Sequence, residues 1–134
     1  RIAAVIVQFY LFRFRHTKCC VLSWGERTRV GMSKGMLNTP TLLLLDEPTA
    51  SMDPATARDI RSAIRRFASG GPVGVLWTSH NMYEVEEVCD RVLFMSHGEV
   101  LLEGDPRTLP GDHGKSSLED LFITVAREPL SLGP

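Results

Sequence analysis

Asp46 and Glu47 stand side by side where an apolar run, TLLLLDEP (41–48), turns polar. Two adjacent carboxylates at the end of a buried segment are costly unless they meet a cation, a metal-bound phosphate or water. An aspartate so placed can hold Mg²⁺, a hard cation that prefers oxygen ligands. A glutamate beside it can orient or deprotonate an attacking water, the remaining task in phosphoryl transfer. A second group lies in LSWGE (22–26), where the Ser23 hydroxyl, the Gly25 amide and a helix N-terminus can converge on one anion. Gly25 has no side chain to keep an oxyanion away. His80, after WTS, can donate a hydrogen bond to a phosphate. Each group also has a plain structural explanation: a polar turn, a capping box, a turn histidine. Their order along the chain is what gives them weight.

The elements that must position these residues follow from local pattern. The opening RIAAVIVQFYLF reads as an apolar helix or strand packed in a core. Ser23 with Glu26 three residues on is a capping-box pattern that starts a helix through RTRVGMSKGML, stopped by NTP. Four consecutive leucines, 42–45, predict a strand buried on both faces. Asp53 followed by Pro54 reads as N-cap and first helical position, and Ile60, Ala63, Ile64 and Phe67 share one side of that helix. VGVLWTS (73–79) predicts a second buried strand ending just before His80, and NMYEVEEVC a short acidic helix. RVLFM and EVLLE, joined by SHG, read as a hairpin. Residues 104–114 read as a loop or short turns, and Ser117 as the cap of a last helix, LEDLFITVARE. Strands alternating with helices imply an α/β domain with a parallel core and an antiparallel margin.

Composition bounds the partners. The 134 residues suffice for one modest core, and 43% hydrophobic with 23% charged residues is ordinary for a globular protein. With 15 basic against 16 acidic residues, general nucleic-acid binding has no electrostatic support. Cys19, Cys20 and Cys89 form no disulfide framework, which fits a reducing compartment. The opening apolar run is too short for a membrane-spanning helix, which needs roughly 20 residues. It also lacks the basic lead-in and cleavage site of a signal peptide. His16, Cys19 and Cys20 lack a fourth ligand with usual metal spacing, and the basic Arg13, Arg15 and Lys18 read as a solvated face.

Taken in order, the motifs resemble the nucleotide-binding domain of ATP-binding cassette (ABC) proteins. LSWGERTRV resembles the ABC signature, LLLLDEP the Walker B strand, ASMD the D-loop and SHN the H-loop; the match extends from Leu22 to about Gly104. The resemblance implies an α/β, P-loop NTPase-like parallel sheet with flanking helices, incomplete here, and ATP and Mg²⁺ as cofactors. It implies that Asp46 holds the Mg²⁺ of bound MgATP, that Glu47 is the catalytic base and that His80 touches the γ-phosphate. Asp53 would lie in the loop through which two such domains communicate. Ser23, Gly25 and Glu26 would form the signature that binds ATP held by the partner domain.

Two signature positions depart from the commonest family form: Trp24 replaces a small residue and Glu26 stands where glutamine is usual. No G-x-x-x-x-G-K-S/T phosphate-binding loop precedes Leu22, and no Q-loop is identifiable. GDHGKSS (111–117) has Leu109 where that pattern needs glycine, and reads as a polar turn before a helix. The chain, which begins at Arg1, is therefore expected to be the C-terminal portion of one ABC domain. Residues 1–37 would end the helical subdomain and 38–134 belong to the catalytic core. The expected role is the ATPase subunit of an ABC transporter, cytoplasmic and peripheral on the inner face of the membrane. Its partners would be a second nucleotide-binding domain and a transmembrane permease, with no nucleic acid. The tail SLEDLFITVAREP resembles exporter-type subunits. The alternatives are a soluble ABC ATPase acting on ribosomes or DNA, and a non-catalytic half-domain that lends its signature to another subunit.

Overall fold

The computed structural model describes residues 2–127, which fall into two compact units that meet in sequence at Thr78 and Ser79. In the first, α1 (Ile2–Gln8) buries no residue along its length. Its apolar contribution comes just after it, where Phe9 is fully buried and Leu11 nearly so. Gln8 Nε2 donates to the Ala63 carbonyl at 3.0 Å, fixing the end of α1 to a helix later in the chain. Helix α2 (Trp24–Met36) starts at Ser23 and supplies Met32 and Met36 to the core. Strand β1 (Leu42–Asp46) follows, then α3 (Pro54–Ser69), capped by Asp53 with Pro54 at its first position. The spacing of Ala57, Ile60, Ala63 and Ile64 puts all four on the buried side of α3. Strand β2 (Gly74–Thr78) then pairs parallel with β1, aligning Leu44 with Leu76 and Asp46 with Thr78.

Burial of β1 departs from expectation. Alternate residues Leu43 and Leu45 enter the core with Met32, Met36, Ile60, Ala63 and Ile64. The other face is open: Leu42, Leu44 and Leu76 are 56, 66 and 56% exposed. A strand's side chains alternate sides, so a helical layer on one face of a two-stranded sheet can bury only every second leucine. β2, also expected to be buried, follows the same pattern, with Val75 and Trp77 half-buried against the core.

The second unit is built on its own core. Helix α4 (Met82–Val88) precedes β3 (Val92–Ser96) and β4 (Glu99–Gly104), which pair antiparallel. The hairpin expected from SHG forms, with His97 and Gly98 at φ 51° and 82°, the left-handed pair that a two-residue turn requires. A register shift after Phe94 leaves Leu101 as the extra residue of a bulge. The stretch read as loop contains a four-residue helix, α5 (Leu109–Asp112). It is seated by Leu109, whose Cδ1 would lie 2.7 Å from a Cβ at Gly104. Helix α6 (Leu118–Arg127) is capped by Ser117, whose Oγ accepts from the Asp120 amide at 3.1 Å. Met82, Val85, Val92, Phe94, Leu118, Leu121 and Val125 close this core, and the Phe94 and Phe122 rings lie 5.5 Å apart. The polar turn expected at Gly114, Lys115 and Ser116 lies between α5 and α6. Residues 128–134, with the end of the exporter-like tail, lie outside the described residues.

The carboxylate turn and the capped signature helix

Asp46 is the last residue of β1 and is exposed; Glu47 is half-buried and begins the turn beyond it. The strand register sets Thr78 opposite Asp46. Thr78 Oγ1 donates to Asp46 Oδ1 at 2.5 Å and accepts from the Glu47 amide at 3.1 Å. The Glu47 amide also reaches the Thr78 carbonyl at 3.2 Å. One hydroxyl therefore fixes both acidic residues. Glu47 has φ 45°, a left-handed conformation that costs a non-glycine residue free energy. Such strain persists where surrounding structure over-determines it, and here the Thr78 contacts do so. The turn continues through Ala50 N to Glu47 O at 3.1 Å and Met52 N to Thr49 O at 3.2 Å, with Ser51 at φ 61°.

Among the described residues, no group of three or more His, Cys, Asp or Glu side chains gathers as a metal site. The carboxylates of Asp46 and Glu47 are hard oxygen donors, of the kind Mg²⁺ prefers. Mg²⁺ commonly takes only one or two carboxylates from protein and the rest of its oxygens from water and phosphate.

Ser23 and Glu26 form the capping box that their spacing predicts. The Glu26 amide donates to Ser23 Oγ at 3.3 Å, and the Ser23 amide donates to Glu26 Oε2 at 2.8 Å. That backbone donor, first among the causes, holds the Glu26 carboxyl below its ordinary value of 4.5. Glu26 thus keeps the function that a glutamine would have there. Trp24, at the first helical position, is 55% exposed and stays out of the core. A Cβ built on Gly25 would meet only Met52 Cγ, at 3.9 Å. The chain's own packing therefore leaves room for a side chain at Gly25.

Met52 belongs to the turn that ends at Asp53, so the start of α2 and this turn are neighbours. Arg29 adds a bond from its Nη2 to Thr56 Oγ1 at 3.2 Å. Asp53 Oδ1 accepts from the Thr56 amide at 3.0 Å, and its hydrogen bonds with Thr56 hold its carboxyl below 3.8. Ser23, Gly25, Glu26, Asp46, Glu47 and Asp53 thus all lie in the first compact unit.

His80 belongs to the second unit, exposed between Ser79 and Asn81. Its turn is held by neighbours. Asn81 Oδ1 accepts from the Tyr83 and Glu84 amides at 3.1 and 3.4 Å, and Ser79 Oγ accepts from the Asn81 amide at 3.0 Å. Ser79 Oγ also donates to Glu84 Oε2 at 3.3 Å, with Glu84 only 5% exposed. Motif reading missed Thr78, Ser79 and Glu84. Thr78 had no local signal, because its importance comes from strand register.

The sequence profile described as ABC transporter matches residues 1–50. The lipopolysaccharide export system ATP-binding protein LptB of Acidithiobacillus ferridurans is 36% identical over 108 residues, covering 81% of this chain and 44% of that protein. The phosphonates import ATP-binding protein PhnC 1 of Ruegeria sp. (strain TM1040) is 40% identical over 91 residues, covering 68% of this chain and 35% of that protein. A solved ATP-binding subunit of an ABC transporter superposes with a TM-score of 0.81 at 23% identity, covering 93% of this chain and 52% of that one, which speaks to fold. The chain spans between 33 and 44% of the length of the first curated relatives it matches. With signature, Walker B, D-loop and H-loop motifs in family order on this fold, the chain belongs to the ATP-binding protein family of ABC transporters.

Proposed function

We propose that this chain is part of the ATP-binding and ATP-hydrolysing subunit of an ABC transporter, and that Asp46 and Glu47 are its hydrolytic residues. The observation that carries the reading is the Thr78 hydroxyl, which fixes both acidic residues at the carboxyl end of a parallel strand. Ligands of open α/β sheets bind at that end. Asp46 would hold Mg²⁺ bound to the ATP phosphates, and the metal would supply charge neutralisation on the transferring phosphoryl group. Glu47 orients the attacking water and accepts its proton. His80 donates a hydrogen bond to the terminal phosphate. Ser23 and Gly25, in the helix start shaped by Glu26, meet the phosphate of ATP held by a second nucleotide-binding domain. Asp53 lies in the loop that reports between the two.

The remaining assignments rest on resemblance. They comprise a helical-subdomain origin for residues 1–37 and a catalytic-core origin for 38–134, with a permease partner at the inner face of the membrane. An export direction is supported by the tail motif, while relatives of similar identity are named for export and for import alike. Among the described residues no helix is long and apolar enough to cross a membrane.

The sequence contains no G-x-x-x-x-G-K-S/T loop, so the phosphates need an anchor beyond these residues. Steady-state ATPase assays should therefore show little or no turnover by the 134-residue chain. Turnover that Glu47→Gln abolishes would keep Glu47 as base and overturn the need for an outside anchor. A second reading, a half-domain that lends its signature, is favoured by the exposed Ser23 cap and the room at Gly25.

A further inference from the structure

Cys19 and Cys20 are adjacent, both exposed and both free thiols, and they form a short 3-10 turn with Val21 immediately before the capping box. The Val21 amide donates to the Lys18 carbonyl at 3.0 Å, and the Leu22 amide to the Cys19 carbonyl at 3.3 Å. Arg27 reaches back from α2: its Nε donates to the Leu22 carbonyl at 2.9 Å and its Nη2 to the Cys20 carbonyl at 3.5 Å. The cysteine turn is thus hydrogen-bonded into the first turn of the signature helix. Lys18 precedes the pair in sequence, and the Arg27 guanidinium contacts its backbone. Both thiols are open to solvent, and cationic residues beside the turn would favour the approach of an anionic reactant.

We propose that Cys19 and Cys20 form a reversible thiol-redox site whose substrate is an anionic low-molecular-weight disulfide, and that its oxidation loosens the Ser23 cap. One cysteine thiolate attacks a sulfur of the external disulfide, forming a mixed disulfide and releasing one small thiol. The neighbouring thiolate attacks the protein-side sulfur, closing a Cys19–Cys20 disulfide and releasing the second. Two electrons pass from the cysteine pair to the external disulfide, and the two cysteine protons end on the two released thiols.

Adjacent Cα atoms lie about 3.8 Å apart across a trans peptide, shorter than the 4.4–6.8 Å that disulfides usually span. The ring therefore closes under strain and is readily reduced, which suits a switch that stays open in a reducing compartment. Closing it changes the backbone of the turn that carries the Leu22 amide bond and the Arg27 contacts, and Ser23 follows directly. The thiol chemistry stands apart from the nucleotide reading, whereas any effect on ATP binding at Ser23 rests on it.

The test uses the full chain carrying Cys89→Ser and glutathione disulfide as the probe, read by intact mass, disulfide mapping and amide exchange. The expected product has lost two hydrogens, carries no adduct and reverts with dithiothreitol. Exchange protection at Ser23–Arg27 should fall several-fold on oxidation. Cys19→Ser and Cys20→Ser should each stop at a stable mixed disulfide. Cationic cystamine should react more slowly than glutathione disulfide, and added salt should narrow the difference. Two stable adducts per chain, chain-to-chain crosslinks or no reaction would overturn the site. Ring closure with unchanged protection at Ser23–Arg27 would overturn its coupling to the cap.

Discussion

At the scale of single residues, Thr78 and Gly25 separate function from fold most cleanly. Thr78→Val keeps shape and removes the hydroxyl that serves Asp46 and Glu47, and should lower stability by about 1 kcal/mol in denaturant titration. Thr78→Ser should recover most of it. Gly25 occupies the second position of α2 with room for a Cβ, so Gly25→Ala should raise stability by roughly 0.5–1 kcal/mol. If the signature binds phosphate, the same substitution should weaken MgATP-dependent pairing with a second nucleotide-binding domain. Stability and pairing measured together on one protein test this. A fall in stability would mean that Gly25 serves the chain's own packing. The lowered carboxyls of Glu26 and Asp53 set a pH dependence with a definite sign. Both favour the folded state above their ordinary values of 4.5 and 3.8, and that contribution is lost as pH falls through these values and below. Glu26→Gln should keep the box closed yet remove its share of the acid loss, seen as a shallower stability–pH curve.

Elements behave according to what they bury. Ile60 is 1% exposed on the inner side of α3, and Ile60→Ala should cost about 2–5 kcal/mol through lost burial and a residual cavity. Ser23→Ala should cost about 1 kcal/mol by removing the cap of α2. The open face of β1–β2 makes the opposite prediction. Leu42, Leu44 and Leu76 form adjacent apolar surface of a kind that promotes association. Leu44→Lys, at 66% exposure, should therefore reduce self-association in sedimentation while changing the unfolding midpoint little. A large destabilisation would mean that Leu44 is covered in solution.

For the molecule as a whole, two cores are the organising fact. The first gathers Phe9, Leu11, Met32, Met36, Leu43, Leu45, Ile60, Ala63 and Ile64; the second includes Phe94, Leu109, Leu118 and Leu121. Leu118→Ala, at a fully buried position of the second core, should speed amide exchange in β3, β4 and α6 more than in β1 and α3. Uniform loss of protection would show that the two cores unfold together. Asp46 and Glu47 belong to the first unit and His80 to the second.

Features under short-range control were legible in the chain before folding. The Ser23–Glu26 box, the Asp53–Pro54 helix start, the His97–Gly98 hairpin and the Ser117 cap depend on residues within a few positions of one another. Motif order alone also carried the family resemblance. Tertiary structure decided the rest, because its causes lie far apart in the chain. Only pairing of β1 with β2 makes Thr78, 32 residues beyond Asp46, the hydroxyl that fixes both carboxylates. Only the layering of helices decides that Leu43 and Leu45 are buried while Leu42 and Leu44 are not. Four identical leucines carry no record of which face will be covered; that depends on elements brought against the strand by folding.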